Sequence, residues 1–297
     1  MHSGANNTRY FHDYLCALGD EVVDPVKGFF GPESSVWQIN REAVLLLGGM
    51  RALLMQIAHP KVAQGVADHS HFRQEPFKRA LRTFDAVHTM VFGAREEAIN
   101  AATRVHAVHT RVQGSMIDSL DARYAANDPD LLLWVYATLF DSALRSHELF
   151  IAPMQSEMRE RFYREGLRFA QLFGIDPACM PATHADFDRW LTHMIESETI
   201  NVTPLGREIG RVLLKGPALF RLASPLNMTL AAGMLHPKLR EAFGLKWHRP
   251  VRAGYALSVS VIRGLVRITP RNWRALPSAR RAERRCAQQS KAERAPS

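Results

Sequence analysis

The feature that most constrains the fold is an apolar stretch over residues 41–58, REAVLLLGGMRALLMQIA. At helical spacing its apolar residues lie on nearly every side, which is typical of a helix buried inside a protein. Arg51 interrupts the stretch, which is also shorter than the about twenty apolar residues that a bilayer span requires. Gly48 and Gly49 each cost a helix about 1 kcal/mol relative to alanine. They indicate close packing there, by another helix in preference to a cofactor.

Helical patterns continue along most of the chain. His59 precedes Pro60 and ends the apolar helix, because a residue before proline disfavours helical angles. The sequence contains no convincing strand pair, Gly-rich phosphate loop, GxSxG motif or HExxH motif, and residues 114–128 are predicted to form a loop. We therefore predict an all-α fold, with helices over residues 9–18, 41–58, 61–68, 75–92, 95–112, 130–150, 156–173, 183–198, 207–222, 226–235, 237–243 and 255–268.

The predicted organisation is one large helical domain with an interior cavity for a cofactor and a substrate. This domain spans residues 21–275, which is long enough to enclose a sizeable core. An N-terminal arm, residues 1–20, precedes it. Residues 276–297 are rich in Arg, Ala and Gln, a composition that predicts a basic disordered tail.

Charge is distributed unevenly between the two parts of the chain. From Leu205 onward the sequence holds 19 of the 38 Lys and Arg but only 4 of the 29 Asp and Glu, a net charge of +15, against −6 for the preceding residues. A basic C-terminal third of this kind can dock on anionic lipid head groups, nucleic acid or an acidic partner. A solvated basic face is the alternative. Nucleic acid is disfavoured, because neither interleaved aromatic residues nor a helix-turn-helix pattern is present.

Three cysteines, Cys16, Cys179 and Cys286, lie far apart and form no CxxC or Cys/His metal pattern. This spacing argues against a disulfide framework and fits a reducing compartment. The N-terminus lacks a basic region followed by an apolar core, so no secretion signal is recognised. The expected location is cytoplasmic, with association to a membrane surface through the basic C-terminal third.

Chemistry-bearing residues concentrate in residues 79–113. Arg79, Arg82 and Thr83 share one helix face, because residues three and four apart are neighbours on a helix. Their guanidinium and hydroxyl groups suit a carboxylate, a haem propionate or bound oxygen. About thirty residues later, His106 and His109 share a second helix face, and neutral imidazole binds iron, copper and zinc. The proposed chemistry requires the two helices to face each other across a cavity.

Two further groups of polar residues have open interpretations. Asp68, His69 and His71 form a polar cluster between apolar helices, which is more often structural than metal-binding. Farther along, Thr138 and Asp141 share a helix face and need hydrogen-bond partners if buried. Asp141 either orients a histidine ligand or, more commonly, pairs with an arginine.

Several segments in order resemble the catalytic domain of the rubber oxygenases (latex-clearing proteins) and MpaB oxygenases. The order of the segments is specific, although each alone is weak, and the resemblance covers about residues 24–249. The segments are DPVKGFFGPESSVWQINRE (Asp24–Glu42), LLLGGMRALLMQIAHPKVAQGVADHS (Leu45–Ser70), RxxxT (Arg79–Thr83), HTRVQG (His109–Gly114), YAANDPDLLLWVYATLFDS (Tyr124–Ser142) and, more weakly, LHPKLREAFGL (Leu235–Leu245).

The resemblance implies an all-helical domain that holds haem b in the rubber-oxygenase members. There the histidine at the position of His109 is the axial ligand of the iron. The RxxxT residues Arg79 and Thr83 lie near the haem and are the expected catalytic residues. The expected cofactor-binding residues are His109, Arg79, Arg82, Thr83, His69 and Thr138.

The chain departs from the family pattern at two positions and lacks a secure match at a third. Family members have a lysine that can reach the iron where this chain has Arg82, and guanidinium is a poor ligand because it stays protonated. Close relatives commonly read WVHAT where this chain has Tyr136. Rubber oxygenases also use a carboxylate base, for which Asp68 is a candidate.

These observations predict a haem-dependent oxygenase, an oxidoreductase of the dioxygenase or monooxygenase type. Its expected partners are dioxygen and an apolar isoprenoid, lipid or aromatic substrate, which oxidative cleavage of a carbon–carbon double bond would convert into carbonyl products. One alternative is a non-haem metal enzyme that uses His106, His109 and either His69 or Asp68, since two histidines and a carboxylate form a known iron site. A non-catalytic helical lipid-binding protein is the other.

Overall fold

The computed structural model describes residues 2–22, 24–117, 119–216 and 224–294. Within these ranges the side chains of a few residues, Arg79 among them, lie outside the described set.

Helices account for almost all of the described secondary structure, which confirms the all-α prediction. A 3-10 segment, Ala43–Gly48, leads into α3, and a second one, Pro177–Cys179, precedes α9. The α-helices are α1 (His2–Asp20), α2 (Ser35–Asn40), α3 (Gly49–Ala58), α4 (Pro60–His69), α5 (Pro76–Phe92), α6 (Arg95–His109), α7 (Pro129–Phe150), α8 (Ser156–Leu172), α9 (His184–Glu196), α10 (Pro204–Lys215), α11 (Ser224–Met234), α12 (Pro237–Ala242), α13 (Arg249–Ile268), α14 (Arg271–Arg274) and α15 (Pro277–Glu293).

The predicted loop at residues 114–128 is wrong for most of its length. It contains an antiparallel hairpin of β1 (Gln113–Met116) and β2 (Ser119–Ala125), in which Gly114 lies opposite Tyr124. A Cβ at Gly114 would lie 2.7 Å from the Tyr124 hydroxyl oxygen. The short strand QGSM has little β-forming signal of its own, so its pairing with the second strand and the fit of tyrosine over glycine explain the hairpin.

The apolar stretch forms two consecutive elements instead of one helix, with Gly48 at the junction. A Cβ at Gly48 would lie 2.0 Å from the Ser146 hydroxyl oxygen and 3.0 Å from the Ser142 carbonyl oxygen, both on α7. A Cβ at Gly49 would lie 2.7 Å from the ring of Phe84 on α5. The glycines therefore allow close helix packing, as the sequence indicated.

At His59–Pro60 the chain turns by 101° between residues 43–58 and 60–69. His59 caps α4, because its Nδ1 accepts a hydrogen bond from the Lys61 backbone N–H at 3.2 Å. Among the described residues no single helix has the length and apolar composition to cross a bilayer, and only this bent pair reaches that composition together.

The first and last described helices pack on the same core as the central helices. Residues 277–293 form α15, in contrast to the disordered tail predicted from composition, and bury Ala279, Ala282 and Cys286. These three residues recur at helical spacing and make a narrow apolar stripe that an average composition conceals. At the other end, Leu15 of α1 is fully buried in the core that also contains Trp37.

Replacement of Gly48 by alanine should destabilise the fold by about 1–3 kcal/mol, since the new methyl group overpacks the contact with α7. Gly254 in α13 is a matched control, because a Cβ there meets no atom within 4 Å. Gly254→Ala should leave stability unchanged or raise it by up to about 1 kcal/mol. Chemical denaturation measures both variants. Equal stability of Gly48→Ala and the wild type would contradict the close contact.

Burial of His59 predicts a pH dependence of stability. Desolvation, followed by the charge of Lys61, lowers the pKa of His59 from 6.5 to about 4. Between these pH values the unfolded chain binds a proton that the folded chain does not, so stability is complete above pH 6.5 and falls toward pH 4. The loss is about 3 kcal/mol at most.

The measurement is the slope of unfolding free energy against pH for wild type and His59→Asn, which keeps a capping side chain but does not titrate. The variant should have the shallower slope between pH 6.5 and 4.5. His71→Asn, at an exposed histidine, should retain the wild-type slope. Parallel slopes for all three proteins would show that His59 is not the titrating group.

Candidate functional site

A cavity of about 490 Å³ opens between α4, α5, α6, β2 and α7. Ligand sites in proteins typically measure about 300–1,000 Å³, so this cavity has room for a cofactor or a substrate. Its walls are mainly aliphatic, and Phe173, which follows α8, contributes an aromatic ring. The apolar lining includes Val62, Val66, Val87, Met90, Val105, Val108, Val112, Leu131, Leu132, Val135 and Phe173.

Four of the predicted site residues line this cavity. Arg82 and Thr83 come from the middle of α5, His109 from the last turn of α6, and His69 from the end of α4. The two helices therefore face a common space, as the proposed chemistry requires. The roles of these four residues remain predictions.

Two other predicted site residues are not placed in the cavity. The side chain of Arg79 lies outside the described residues, although its backbone belongs to α5. Thr138 is fully buried in α7, and its hydroxyl donates to the Val135 carbonyl at 2.7 Å. That hydrogen bond satisfies its hydroxyl within its own helix, and Thr138 is not part of the cavity lining.

His106 is directed away from His109 toward α1. Its ring stacks on Phe11, with 4.3 Å between centroids and an interplanar angle of 24°. Burial lowers the pKa of His106, which favours the neutral ring. Within the described ranges no three His, Cys, Asp or Glu side chains are grouped so that they could hold a metal. The predicted non-haem set of His106, His109 and His69 or Asp68 is therefore not assembled.

Asp68 belongs to a hydrogen-bonded group at the cavity wall. Its Oδ2 accepts from the Tyr124 hydroxyl at 2.6 Å, and its Oδ1 accepts from Gln64 Nε2 at 2.9 Å. Burial and this bond to Asp68 raise the pKa of Tyr124, so the phenol stays protonated. Nearby, His69 Nε2 lies 3.3 Å from the Gln113 carbonyl oxygen. The site contribution of Tyr124 was missed, because it depends on the hairpin.

The charged lining of the cavity is predominantly cationic. Lys61 and Arg104 join Arg82, whereas Asp85 is the one carboxylate in the described lining. The sequence did not single out these two residues: Lys61 lies within the family segment Leu45–Ser70 without a stated role, and Arg104 lies in none of the family segments. This excess of positive charge attracts anionic groups into the cavity.

Asp141 pairs with arginines and not with a histidine. Pairing with an arginine was the commoner of the two interpretations given above. Its Oδ2 lies 2.5 Å from Arg51 Nη2, and its Oδ1 accepts from Arg145 at 3.4 Å. Arg51 also donates to the Ser142 hydroxyl at 2.7 Å. The side chains of Arg51 and Asp141 are almost completely buried, so Asp141 neutralises a cation within the core.

Tyr136, one departure from the family pattern, lies in the core and outside the cavity lining. Its hydroxyl donates to the Gly166 carbonyl at 2.9 Å, and its ring stacks on Phe140 with 5.8 Å between centroids. The substitution therefore leaves the described cavity lining unchanged.

Comparisons with known proteins identify a family for this chain. Residues 36–267 match the model of the ER-bound oxygenase mpaB/B′ and rubber oxygenase catalytic domain. The uncharacterized proteins Mb2261 of Mycobacterium bovis and Rv2237 of Mycobacterium tuberculosis are each 25% identical to this chain over 228 residues, which cover 74% of this chain and 89% of each relative. No solved structure matches the chain.

The family match spans well over half of the chain and includes every described residue that lines the cavity. The fold is helical, as that resemblance implied. The chain therefore belongs to the MpaB and rubber oxygenase family of oxygenase catalytic domains.

Proposed function

We propose that the protein is a haem-dependent oxygenase that acts on an apolar substrate. The observation that carries the proposal is the position of His109 on the wall of a largely apolar cavity, which Arg82 and Thr83 also line. Membership of an oxygenase family supports the reaction type. The haem and the class of substrate belong to the proposal.

The donor set of the cavity fits a haem. His109 offers an imidazole, the usual proximal ligand of haem iron in several protein classes. Lys61, Arg82 and Arg104 offer cationic partners for two propionates, and aliphatic side chains suit the apolar faces of the macrocycle. When bound, the haem would supply the iron at which dioxygen is activated.

The chain's own residues have separate tasks in this proposal. Aliphatic walls exclude water and bind an isoprenoid, lipid or aromatic substrate, since they offer it few polar partners. Thr83 contributes a hydroxyl, and Arg82 contributes a positive charge that guanidinium retains at any physiological pH. Both can polarise an oxygen atom. Insertion of both atoms of dioxygen across a carbon–carbon double bond would give two carbonyl groups.

A base has two candidate positions. Asp85 lines the cavity directly. Asp68 reaches it through Tyr124, whose protonated hydroxyl donates to the Asp68 carboxylate. We propose that one of these carboxylates removes an allylic substrate proton and returns it as the carbon–carbon bond breaks, so that the net reaction remains the addition of dioxygen. The Tyr124 hydroxyl orients the carboxylate where Asp68 has this role.

The variant His109→Ala tests the proposal, and His106→Ala, at a neighbouring histidine, is its control. Wild-type protein produced with adequate haem precursor should be red and show a Soret band with about one haem per chain. His109→Ala should lose the band, because its cavity lacks the imidazole ligand, and added free imidazole should restore it. His106→Ala should retain the wild-type spectrum, since His106 stacks on Phe11 and does not line the cavity. Circular dichroism checks that both variants are folded.

Three outcomes would contradict the proposal. An unchanged spectrum of His109→Ala would remove His109 as the ligand. A colourless wild-type protein with stoichiometric iron or zinc would favour a non-haem metal enzyme. A colourless, metal-free protein that co-purifies with lipid would favour a helical lipid-binding protein.

A further inference from the structure

Helix α13 has two apolar faces, and among the described residues only one of these faces packs against the rest of the chain. Its inner face includes Val259 and Val266, which are buried. On the opposite side, four aliphatic residues recur at intervals of four, four and three, and therefore form one stripe along the helix. These residues are Leu257 (66% exposed), Val261 (52%), Leu265 (55%) and Ile268 (78%).

A further exposed apolar side chain follows the helix end, and no described element covers the stripe. Trp273, which follows α13 by five residues, is 78% exposed. A Cβ built at Gly254 or Gly264 would meet no atom within 4 Å, so no described part of the chain packs over these positions. Contiguous exposed apolar surface of this kind marks an interaction site.

The chain segment that carries the stripe contains basic residues and no acidic ones. The sequence contains no Asp or Glu between Glu241 and Glu283. In this interval two arginines have partners within the protein: Arg263 donates to the Leu149 carbonyl, and Arg274 contacts Glu42. Seven other cationic side chains are exposed to solvent. Five of them lie on α13 or within three residues of its ends: Lys246, Arg249, Arg252, Arg267 and Arg271.

Charge decides between the occupants that an apolar stripe could bind. A second copy of the chain, related by a two-fold axis, would bring the same basic side chains against themselves, and like charges across an interface are unfavourable. An anionic bilayer supplies both an apolar layer for the stripe and negative head groups for its border. No described helix has the composition of a membrane span, so a helix lying in the plane of the surface is the geometry that fits.

We propose that the outer face of α13, together with Trp273, docks the protein on the surface of an anionic phospholipid bilayer. The aliphatic stripe enters the boundary between head groups and acyl chains, and Trp273 lies at the level of the head groups, where tryptophan is enriched. The arginines extend to lipid phosphates while their methylene stems cover the apolar surface. No α13 residue lines the cavity, so this inference stands independently of the haem proposal.

Vesicle sedimentation tests the docking with full-length protein. Vesicles of phosphatidylcholine containing phosphatidylglycerol should bind the wild type, and vesicles of phosphatidylcholine alone should bind it at least tenfold more weakly. Salt should weaken the binding, because it screens exposed charges. The double variant Leu257→Asp/Leu265→Asp should lose at least tenfold in partitioning, and Arg252→Gln/Arg267→Gln should lose most of the preference for anionic lipid.

Matched control variants distinguish docking through this face from nonspecific binding by other exposed apolar residues. Ile117→Asp changes an aliphatic residue that is 71% exposed, and Tyr10→Ala changes an aromatic residue that is 72% exposed, both outside α13. Both variants should bind vesicles as the wild type does, whereas Trp273→Ala should bind more weakly. Brominated acyl chains should quench the fluorescence of the wild type but not that of Trp273→Phe.

Two results would overturn the inference. Absence of binding to anionic vesicles, or equal losses in the control variants, would show that the face does not dock on lipid. A dimer in solution that dissociates in Leu257→Asp/Leu265→Asp would show that a second copy occupies the stripe.

Discussion

The structure depends on how it accommodates one buried cation. Arg51 lies in α3, the helix formed by the most apolar stretch of the chain, and an unpaired charge there would be strongly destabilising. It is neutralised by Asp141, and it donates to the Ser142 hydroxyl at 2.7 Å and the Met234 carbonyl at 2.9 Å. These contacts join α3 to α7 and to the end of α11. A buried polar group of this kind tolerates few alternative arrangements, because each donor needs its acceptor in place.

The cavity results from the interruption of this central packing at His59–Pro60. If the apolar helix had continued beyond Ala58, its next turns would extend in line with the core. The turn of 101° instead gives α4 a new direction, and Lys61 and Val66 of α4 become part of the cavity wall. The same proline that ends one helix is the first residue of the next. The backbone restriction at His59–Pro60 thus marks the boundary between the packed core and the cavity.

Two regions with different chemistry are therefore present on one helical framework. The cavity combines imidazoles, hydroxyls and three cations with aliphatic walls, which suits a cofactor that has both apolar faces and carboxylates. The outer face of α13 combines aliphatic residues with exposed arginines and lies apart from the cavity lining. The first region carries the proposed reaction, and the second carries the proposed docking on a bilayer.

Helix boundaries were predictable where one residue type dominates the local backbone energy. Asp128 caps α7 and Pro129 begins it, Gly93 ends α5, and Thr183 caps α9. The hairpin was not predictable, since β1 has no strong strand preference and is stabilised by the second strand and by Tyr124 packed over Gly114. The α15 helix was obscured by its basic composition, although its buried alanines follow a helical period.

For the candidate site, the sequence by itself determined which residue types are present and which share a helix face. It identified His109, Arg82 and Thr83 because short-range spacing and the family motifs are properties of the chain alone. Only the tertiary structure decided that His109 lines the cavity while His106 stacks on Phe11, that Asp141 neutralises Arg51, and that Tyr124 contacts Asp68. These pairings join residues distant in sequence, and their energies depend on burial and distance, which exist only after the helices have packed.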